Sequence, residues 1–251
     1  MGEAIISGIA KDNRVFVCEK DVKRGQFLKK KFKISLGSVE EVLKKSEIIV
    51  LAVKPQDFDE LLMVVKNNIS KSKLVVSIAA GITTEYIEKR LGDQIKVVRT
   101  MPNLPAQVGS GMTALTKGRW AKDLDLKKAQ KIFDSIGETV VISEDLIDAV
   151  TAISGSGPAY VFLFIENMEK IAASFGLTKE MSRKLVLQTF QGSLKLLKDR
   201  NEEASDLKVK VTSKGGTTQA ALEVFEKNNL AGIFTHALQA AKRRAGELSK
   251  N

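Results

Sequence analysis

The chain has 251 residues, 43% of them hydrophobic, and a formal net charge of +10. This length allows one large or two ordinary domains with a sizeable core, and the apolar content is typical of a soluble globular protein. The positive charge raises the question of a nucleic-acid-binding protein. The basic residues are scattered over helical stretches, without the interleaved aromatic side chains of a stacking platform, so no nucleic-acid partner is expected.

The single cysteine and the single histidine restrict the chemistry further. Cys18 excludes an intrachain disulfide and is predicted to be a buried strand thiol in a reducing compartment. His236 has no second histidine or clustered cysteine in its neighbourhood, so no metal site is expected. No signal peptide is visible and no apolar run reaches the length of a membrane span, which predicts a cytoplasmic protein without a membrane partner.

The first half of the chain alternates helices with short apolar strands. A helix at Gly2–Ala10 opens it. Strands are predicted at Arg14–Cys18, around Ile34, and at Ile48–Val53, Leu74–Ile78, Lys96–Met101, Gly111–Leu115 and Glu138–Ile142, with helices at Lys20–Lys31, Val39–Lys45, Gln56–Asn67, Thr83–Leu91 and Ala121–Ile136. Alternation of this kind predicts an α/β fold with a Rossmann-like doubly wound sheet, which we assign to residues 1–144. Ligands of such sheets bind at the carboxyl ends of the strands.

No further strand is predicted from about Asp145 onward. The turn Ser154–Pro158 opens a long helix that continues to about Phe175, and further helices are predicted at Lys179–Lys198, Thr217–Lys227 and Ala231–Leu248. The helix at Ala159–Ile171 is apolar on nearly every face, which predicts burial in a core or against a partner subunit. We therefore expect residues 145–251 to form an all-helical dimerisation domain.

The stretch Lys210–Leu222 combines a turn with a helix start. Gly215 and Gly216 allow positive φ or close approach of the backbone to a ligand, and Thr217 and Thr218 are predicted to cap the helix that follows. Free N–H groups and the positive end of the helix dipole favour a small anion such as a carboxylate. A plain helix start without a ligand is the alternative interpretation.

A dinucleotide-binding half normally opens with a strand and Gly-x-Gly-x-x-Gly, and only the end of that pattern is present. Gly2 matches the third glycine, whereas the strand and the first two glycines are absent, so the sheet is predicted to lack its first strand. Glu19 lies where an acidic side chain binds a ribose hydroxyl, and Lys20, Lys23 and Arg24 are suited to a 2′-phosphate. The choice between NADH and NADPH therefore stays open.

Six blocks together resemble the pyrroline-5-carboxylate reductase family, in order and spacing, over essentially the whole chain. They are Met1–Ile6, Ala52–Pro55, Ala79–Gly81, Arg99–Asn103, Ser154–Tyr160 and Val211–Thr218. The resemblance implies hydride transfer from NADPH or NADH to 1-pyrroline-5-carboxylate, which gives L-proline in proline biosynthesis. It also implies a homodimer whose dimers assemble into larger rings, commonly of five, which makes a decamer.

The resemblance also assigns roles to individual residues. Thr218 is the implied catalytic residue, as a hydroxyl donor near the imine nitrogen. The implied substrate-binding residues are Glu144, Ser156, Gly216, Thr217 and Thr218, most of them in the helical domain. The implied cofactor-binding residues are Gly2, Glu19, Ala52, Val53, Lys54, Pro55, Ile78, Ala79, Ala80 and Asn103. Two of them, Gly2 and Glu19, also belong to the dinucleotide-binding pattern described above.

The chain departs from the family pattern at several positions, which leaves alternatives open. Besides lacking the two glycines, it has Lys214 in place of the usual proline and Leu104 in place of a common threonine. Val39 lies near a position that is usually asparagine, and Lys210 replaces a residue that is often small or polar. One hypothesis is a working reductase whose coding sequence starts upstream of Met1. A second is a non-catalytic or regulatory relative. A hydroxyacid dehydrogenase of similar architecture is disfavoured. That class needs a helix lysine as acid/base in its second domain, and Lys170, the first lysine on the helix at Ala159–Phe175, lies well past the glycine-rich turn.

Overall fold

The computed structural model describes residues 1–249, and its elements follow the predicted order. The helices are α1 (Gly2–Ile9), α2 (Val22–Phe32), α3 (Val39–Lys45), α4 (Phe58–Asn68), α5 (Thr84–Leu91), α6 (Asp123–Asp134), α7 (Ile147–Val150), α8 (Gly157–Ser174), α9 (Lys179–Arg200), α10 (Ala204–Lys210), α11 (Thr217–Lys227) and α12 (Leu230–Leu248). The strands are β1 (Phe16–Val17), β2 (Ser35–Leu36), β3 (Ile48–Leu51), β4 (Leu74–Ser77), β5 (Lys96–Pro102), β6 (Gly111–Lys117) and β7 (Gly137–Val141). The short helices α7 and α10 were not predicted.

The strands form a five-stranded sheet of order β3-β4-β5-β6-β7 and a separate parallel pair, β1-β2. Neighbouring strands are parallel except for β5 and β6, which are antiparallel. The connection from Pro102 to Gly111 explains this exception. It contains a short 3₁₀ helix and is too short for the crossover that a parallel pair needs. The predicted Rossmann-like sheet is confirmed, with one antiparallel pair.

The sheet lacks its first strand, as predicted. In a doubly wound order of 3-2-1-4-5-6, the first strand lies between the strands that correspond here to β1 and β3. Within residues 1–249, β1 pairs only with β2 and β3 only with β4. Helix α1 connects the two sheets by packing instead, because Ile5 lies in the core beside β4, β5 and α6, whereas Ile6 lies in the core beside α2 and β2.

Contacts divide the chain into two compact units. One comprises Met1–Pro158 together with the stretch from Ala240, and the other comprises Ala159–Gln239. The predicted domain boundary after residue 144 stays a prediction. The first unit holds nearly all of the buried side chains, including Phe58, Phe133 and Val76.

The second unit is helical and leaves much of its apolar surface exposed. Phe162 and Leu163 on α8 are 54% and 55% exposed, and Phe164 stacks on Phe234 with ring centroids 5.7 Å apart. The prediction that this helix is buried in the core of its own chain is therefore wrong, and burial against a partner subunit stays as the other alternative. Cys18 is also exposed, because β1 ends at Val17, so the prediction of a buried thiol was wrong.

One helical stretch of the described residues, Glu144–Ser174, is long and apolar enough to cross a membrane when judged by length and composition alone. The prediction that no segment reaches this length was wrong. The stretch is continuous because the expected turn at Ser154–Pro158 is helical. A π-helical segment at Thr151–Gly155 leads directly into α8, with the Ser156 N–H donating to the Thr151 carbonyl at 2.8 Å. A helix of this kind is weak evidence for a membrane protein.

Candidate functional site

Two predicted cofactor-binding segments lie at one edge of the five-stranded sheet. The register pairs Leu51 with Ser77 and Ser77 with Arg99, so β3 and β4 end side by side. Ala52–Pro55 follows β3 directly, and Ile78–Ala80 follows β4. The structure therefore brings these two turns together at the carboxyl edge of the sheet, where doubly wound folds bind their ligands.

Small residues at this edge allow neighbouring segments to approach closely. Gly2 at the start of α1 lies against Ala52, and a Cβ atom built on Gly2 would be 3.6 Å from the Ala52 Cβ. Gly81 has φ +78°, and a Cβ atom there would lie 2.7 Å from the Leu248 carbonyl oxygen. Only glycine combines this backbone conformation with so close a contact. The end of α12 thus packs against the turn after β4.

The buried polar groups under this edge are hydrogen-bonded. The Thr100 hydroxyl on β5 donates to the Ser77 carbonyl at 3.0 Å, and the Ala79 N–H donates to the Ser77 hydroxyl at 3.3 Å. Ser77 and Thr100 are fully buried. Because buried polar groups are costly unless they are paired, these bonds hold the Ile78–Ala80 turn in one conformation.

Glu19 and its neighbours lie at the start of α2. The Glu19 carboxylate accepts from the Asp21 N–H at 3.1 Å, and Asp21 caps α2 by accepting from the Arg24 N–H. Glu3 binds both Arg24, at 2.5 Å, and Lys31, at 2.9 Å. The hydrogen bond from Lys31 holds the pKa of Glu3 below its usual value. Arg24 is therefore already paired within the protein.

Glu144 is held by three donors of the protein. Its Oε1 accepts from the Thr84 N–H at 2.8 Å and from Arg99 at 3.1 Å, and its Oε2 accepts from the Thr84 hydroxyl at 2.5 Å. Arg99 on β5 is almost completely buried. The carboxylate thus joins the amino end of α5 to β5, at the point where the helical part of the chain begins. Its predicted contact with the substrate stays a prediction.

Asn103 anchors the π-helical segment. Its Nδ2 donates to the carbonyl and to the hydroxyl of Ser154, both at 3.2 Å, and its Oδ1 accepts from the Met112 N–H at 2.9 Å. Gly155 lies on Met101, where a Cβ atom would be 2.7 Å from the methionine Cε. The strand end at Asn103 therefore fixes the backbone that carries Ser156. Cofactor binding by Asn103 and substrate binding by Ser156 stay predictions.

The glycine turn before α11 differs from the predicted cap. Gly216 is the N-cap residue and no side chain caps the helix, so the prediction that Thr217 and Thr218 cap it was wrong. Gly215 has φ +72°, and the Gly216 N–H donates to the Ser213 carbonyl at 3.0 Å. A Cβ atom on Gly216 would lie 2.4 Å from the Ser213 hydroxyl oxygen, which explains the glycine.

The first turn of α11 leaves its donors available. The first intrahelical bond runs from the Ala220 N–H to the Gly216 carbonyl. Within the described residues, the N–H groups of Thr217, Thr218 and Gln219 have no partner, as is usual for the first turn of a helix. The Thr218 hydroxyl is half-buried and also without a partner in this part of the chain. Together these groups can bind a carboxylate and donate one hydroxyl proton.

Some contributors to the site were missed from the sequence. Thr84 and Arg99 lie 60 and 45 residues from Glu144, so no local pattern joins them. Gln219 was also missed, although a side-chain acceptor at the third position of a helix is a known capping signal. Its Oε1 accepts from the Gly215 N–H at 2.7 Å.

Two family models match the chain. "Pyrroline-5-carboxylate reductase dimerisation" matches residues 144–248, and "NADP oxidoreductase coenzyme F420-dependent" matches residues 1–81. A pyrroline-5-carboxylate reductase of a Synechocystis species is 38% identical over 256 residues, which cover 100% of this chain and 95% of that protein. The chain belongs to the pyrroline-5-carboxylate reductase family.

Solved structures agree with this membership of the pyrroline-5-carboxylate reductase family. The enzyme from Coxiella burnetii has a TM-score of 0.92 at 35% identity, covering 100% of this chain and 95% of that one. The Plasmodium falciparum enzyme, solved with NADP bound, has a TM-score of 0.88 at 34% identity, covering 99% and 94%. A prephenate dehydrogenase from Aquifex aeolicus is 14% identical with a TM-score of 0.52, a likeness of fold alone.

Proposed function

We propose that the protein reduces 1-pyrroline-5-carboxylate to L-proline by hydride transfer from NADPH or NADH. The observation that carries this proposal is similarity over the full chain to proteins named pyrroline-5-carboxylate reductase, at 33–38% identity. The bound coenzyme supplies the hydride. The protein supplies orientation, exclusion of water and hydrogen bonds at stated atoms.

The proposed cofactor residues fit a dinucleotide in the first unit. Gly2 and Ala52 are small enough to let a flat ligand approach the backbone, and a Cβ atom on Gly2 would lie 3.6 Å from the Ala52 Cβ. Ala79 lies in the turn after β4, with its side chain buried in the core. Val53, Lys54, Pro55, Ile78 and Ala80 complete the two turns. Glu19 would accept from a ribose hydroxyl. The arrangement supports either nicotinamide coenzyme.

The proposed substrate residues act through hydrogen bonds. The N–H groups of Thr217 and Thr218 bind the substrate carboxylate at the positive end of α11, and the exposed Lys214 adds attraction. The Thr218 hydroxyl donates toward the imine nitrogen, which makes the C=N carbon a better hydride acceptor. Orientation of two bound reactants supplies roughly 7–11 kcal/mol of barrier lowering, so a site without a histidine is chemically adequate.

The finer proposals concern assembly and location. We propose a homodimer formed through the helical part of the chain, with dimers assembling further into a decamer. The dimerisation match over residues 144–248 and the exposed apolar side chains of α8 support the dimer. We also propose a cytoplasmic protein without a membrane partner, in which Glu144–Ser174 is covered by a partner subunit.

The test is coenzyme oxidation by the 251-residue chain with 1-pyrroline-5-carboxylate, measured separately with NADPH and NADH. We expect turnover, and we expect Thr218→Ala to lower kcat by on the order of a hundredfold, whereas Thr218→Ser retains most of it. A folded oligomer that oxidises neither coenzyme would contradict the proposal and favour the non-catalytic alternative. Equal kcat for Thr218→Ala and the wild type would reject the role of the hydroxyl.

A further inference from the structure

The glycine turn before α11 is closed by a side chain of the helix itself. The Gly215 N–H donates to the Gln219 Oε1 at 2.7 Å, and the Gln219 Nε2 donates to the Glu223 Oε1 at 2.8 Å. Glu223 lies one helical turn after Gln219, so the bonds form a chain along one side of α11. The Gly215 turn is thereby tied to the body of the helix.

This bond differs from an ordinary capping box. In that motif, the side chain at the third helical position accepts from the N-cap N–H. Here the N-cap is Gly216, and its N–H is taken by the Ser213 carbonyl at 3.0 Å. Gln219 therefore reaches one residue further back, to Gly215. Gly215 has φ +72°, and a Cβ atom built on it would meet nothing within 4 Å. Packing against neighbouring atoms therefore does not hold Gly215 in this conformation.

The two bonds decide which donors face a ligand. The N–H groups of Gly215 and Gly216 are both directed to acceptors of the protein, whereas those of Thr217 and Thr218 stay available. An amide suits this place better than a carboxylate, because it accepts from Gly215 without placing a negative charge beside the bound carboxylate. Glu223 orients the amide so that its oxygen, and not its nitrogen, faces the turn.

We propose that Gln219 is a positioning residue for the substrate carboxylate. It holds Gly215 in the left-handed conformation, and so fixes the direction of the Thr217 and Thr218 N–H groups. The inference rests on the proposed reductase function. It predicts a defect confined to the substrate, because Gln219 contacts the substrate-binding turn and no residue assigned to the cofactor.

The test compares Gln219→Met, which keeps the length of the side chain and removes the acceptor, with Gln188→Met, the same change at an exposed position of α9. For Gln219→Met we expect the KM for 1-pyrroline-5-carboxylate to rise about three- to tenfold, as for the loss of one hydrogen bond. The coenzyme KM and kcat stay within about twofold of the wild type. Glu223→Gln, which keeps an acceptor for the Gln219 amide, should behave as the wild type.

A second readout separates this inference from the proposed function. The affinity for L-proline, measured by calorimetry on the folded chains, should fall by the same factor in Gln219→Met. Normal turnover by the wild type, with an unchanged or lower substrate KM in Gln219→Met, overturns the inference alone. The same rise in Gln188→Met also overturns it. A wild-type chain that neither turns over nor binds L-proline overturns both proposals.

Discussion

At the scale of single residues, Glu144 shows how a predicted ligand contact acquires a structural role. Within the described residues, its carboxylate accepts hydrogen bonds from Thr84 and from the buried Arg99. Removal of this carboxylate leaves a guanidinium with little access to water and without its charged partner. The residue therefore stabilises the site whether or not it also contacts the substrate.

We predict that Glu144→Ala lowers the free energy of unfolding by roughly 3 kcal/mol, because the Arg99 charge is then buried and unpaired. Denaturation by urea measures the loss. Asp145→Ala is the matched control, since Asp145 is exposed and makes no bond among the described residues. Equal stability losses for the two variants would show that the Glu144 bonds contribute nothing specific.

Glu88 on α5 gives a prediction about pH. Burial raises its pKa above the ordinary value of 4.5, its Oε1 has no partner in the described part of the chain, and the charge of Glu144 raises the pKa further. A carboxyl whose pKa is higher in the folded state than in the unfolded state favours folding less as the pH rises from the unfolded pKa through the folded pKa. Glu88→Gln should therefore gain Tm relative to the wild type between pH 4.5 and pH 7. A Tm difference that is independent of pH would contradict this.

At the scale of elements, the end of α12 is packed on the turn after β4 through Gly81. Its φ of +78° costs a non-glycine residue about 1–2 kcal/mol, and a Cβ atom would also overlap the Leu248 carbonyl oxygen. Gly109 has a similar φ of +72°, and a Cβ atom there would meet nothing within 4 Å. Alanine substitutions at the two glycines therefore distinguish the cost of backbone strain from the cost of steric overlap.

We predict that Gly109→Ala costs about 1–2 kcal/mol of stability, and that Gly81→Ala costs more and also raises the coenzyme KM. The reason is that the added methyl group must displace backbone beside the proposed cofactor turn. Urea denaturation and steady-state kinetics with varied coenzyme measure both effects. Equal losses in stability, with an unchanged coenzyme KM in Gly81→Ala, would mean that the contact with Leu248 is unimportant.

The elements were predictable where their signal is local. The continuous apolar runs gave β3 and β4, and the helix predicted at Thr83–Leu91 corresponds to α5. The Thr83 hydroxyl caps this helix by accepting from the Tyr86 N–H. The antiparallel direction of β6 and the π-helical segment were missed. The first depends on the length of the preceding connection, and the second on a packing contact between Gly155 and Met101.

The geometry of the candidate site follows the same rule. The glycine turn before α11 was predicted from its own glycines and threonines, and the two turns assigned by the family resemblance lie at strand ends, where doubly wound sheets bind ligands. The partners of Glu144 lie 45 and 60 residues away from it, and Ser154 lies 51 residues away from Asn103. Contacts of that range depend on the folded arrangement and leave no trace in the spacing of residues along the sequence.

At the scale of the whole molecule, the helical unit contrasts with the first unit in its exposed surface. Its α8 side chains Val161, Phe162, Leu163 and Ile171 are each more than 40% exposed, whereas the first unit contains three buried clusters. An apolar surface of this extent is typical of an interface between subunits. The same surface accounts for the membrane-like composition of Glu144–Ser174.

We predict that Phe162→Glu weakens self-association by about a hundredfold or more, because an exposed aromatic side chain of the proposed interface is lost and a charge would have to be buried there. Sedimentation velocity over a range of protein concentrations should show a shift toward monomer.

Leu124→Glu is the matched control. Leu124 is 72% exposed on α6, outside the residues that match the dimerisation family, so its variant should sediment as the wild type does. A Phe162→Glu protein with the wild-type distribution would exclude this face of α8 from the subunit contact. An equal shift in both variants would indicate general destabilisation of the chain, which far-UV circular dichroism on the same samples would reveal.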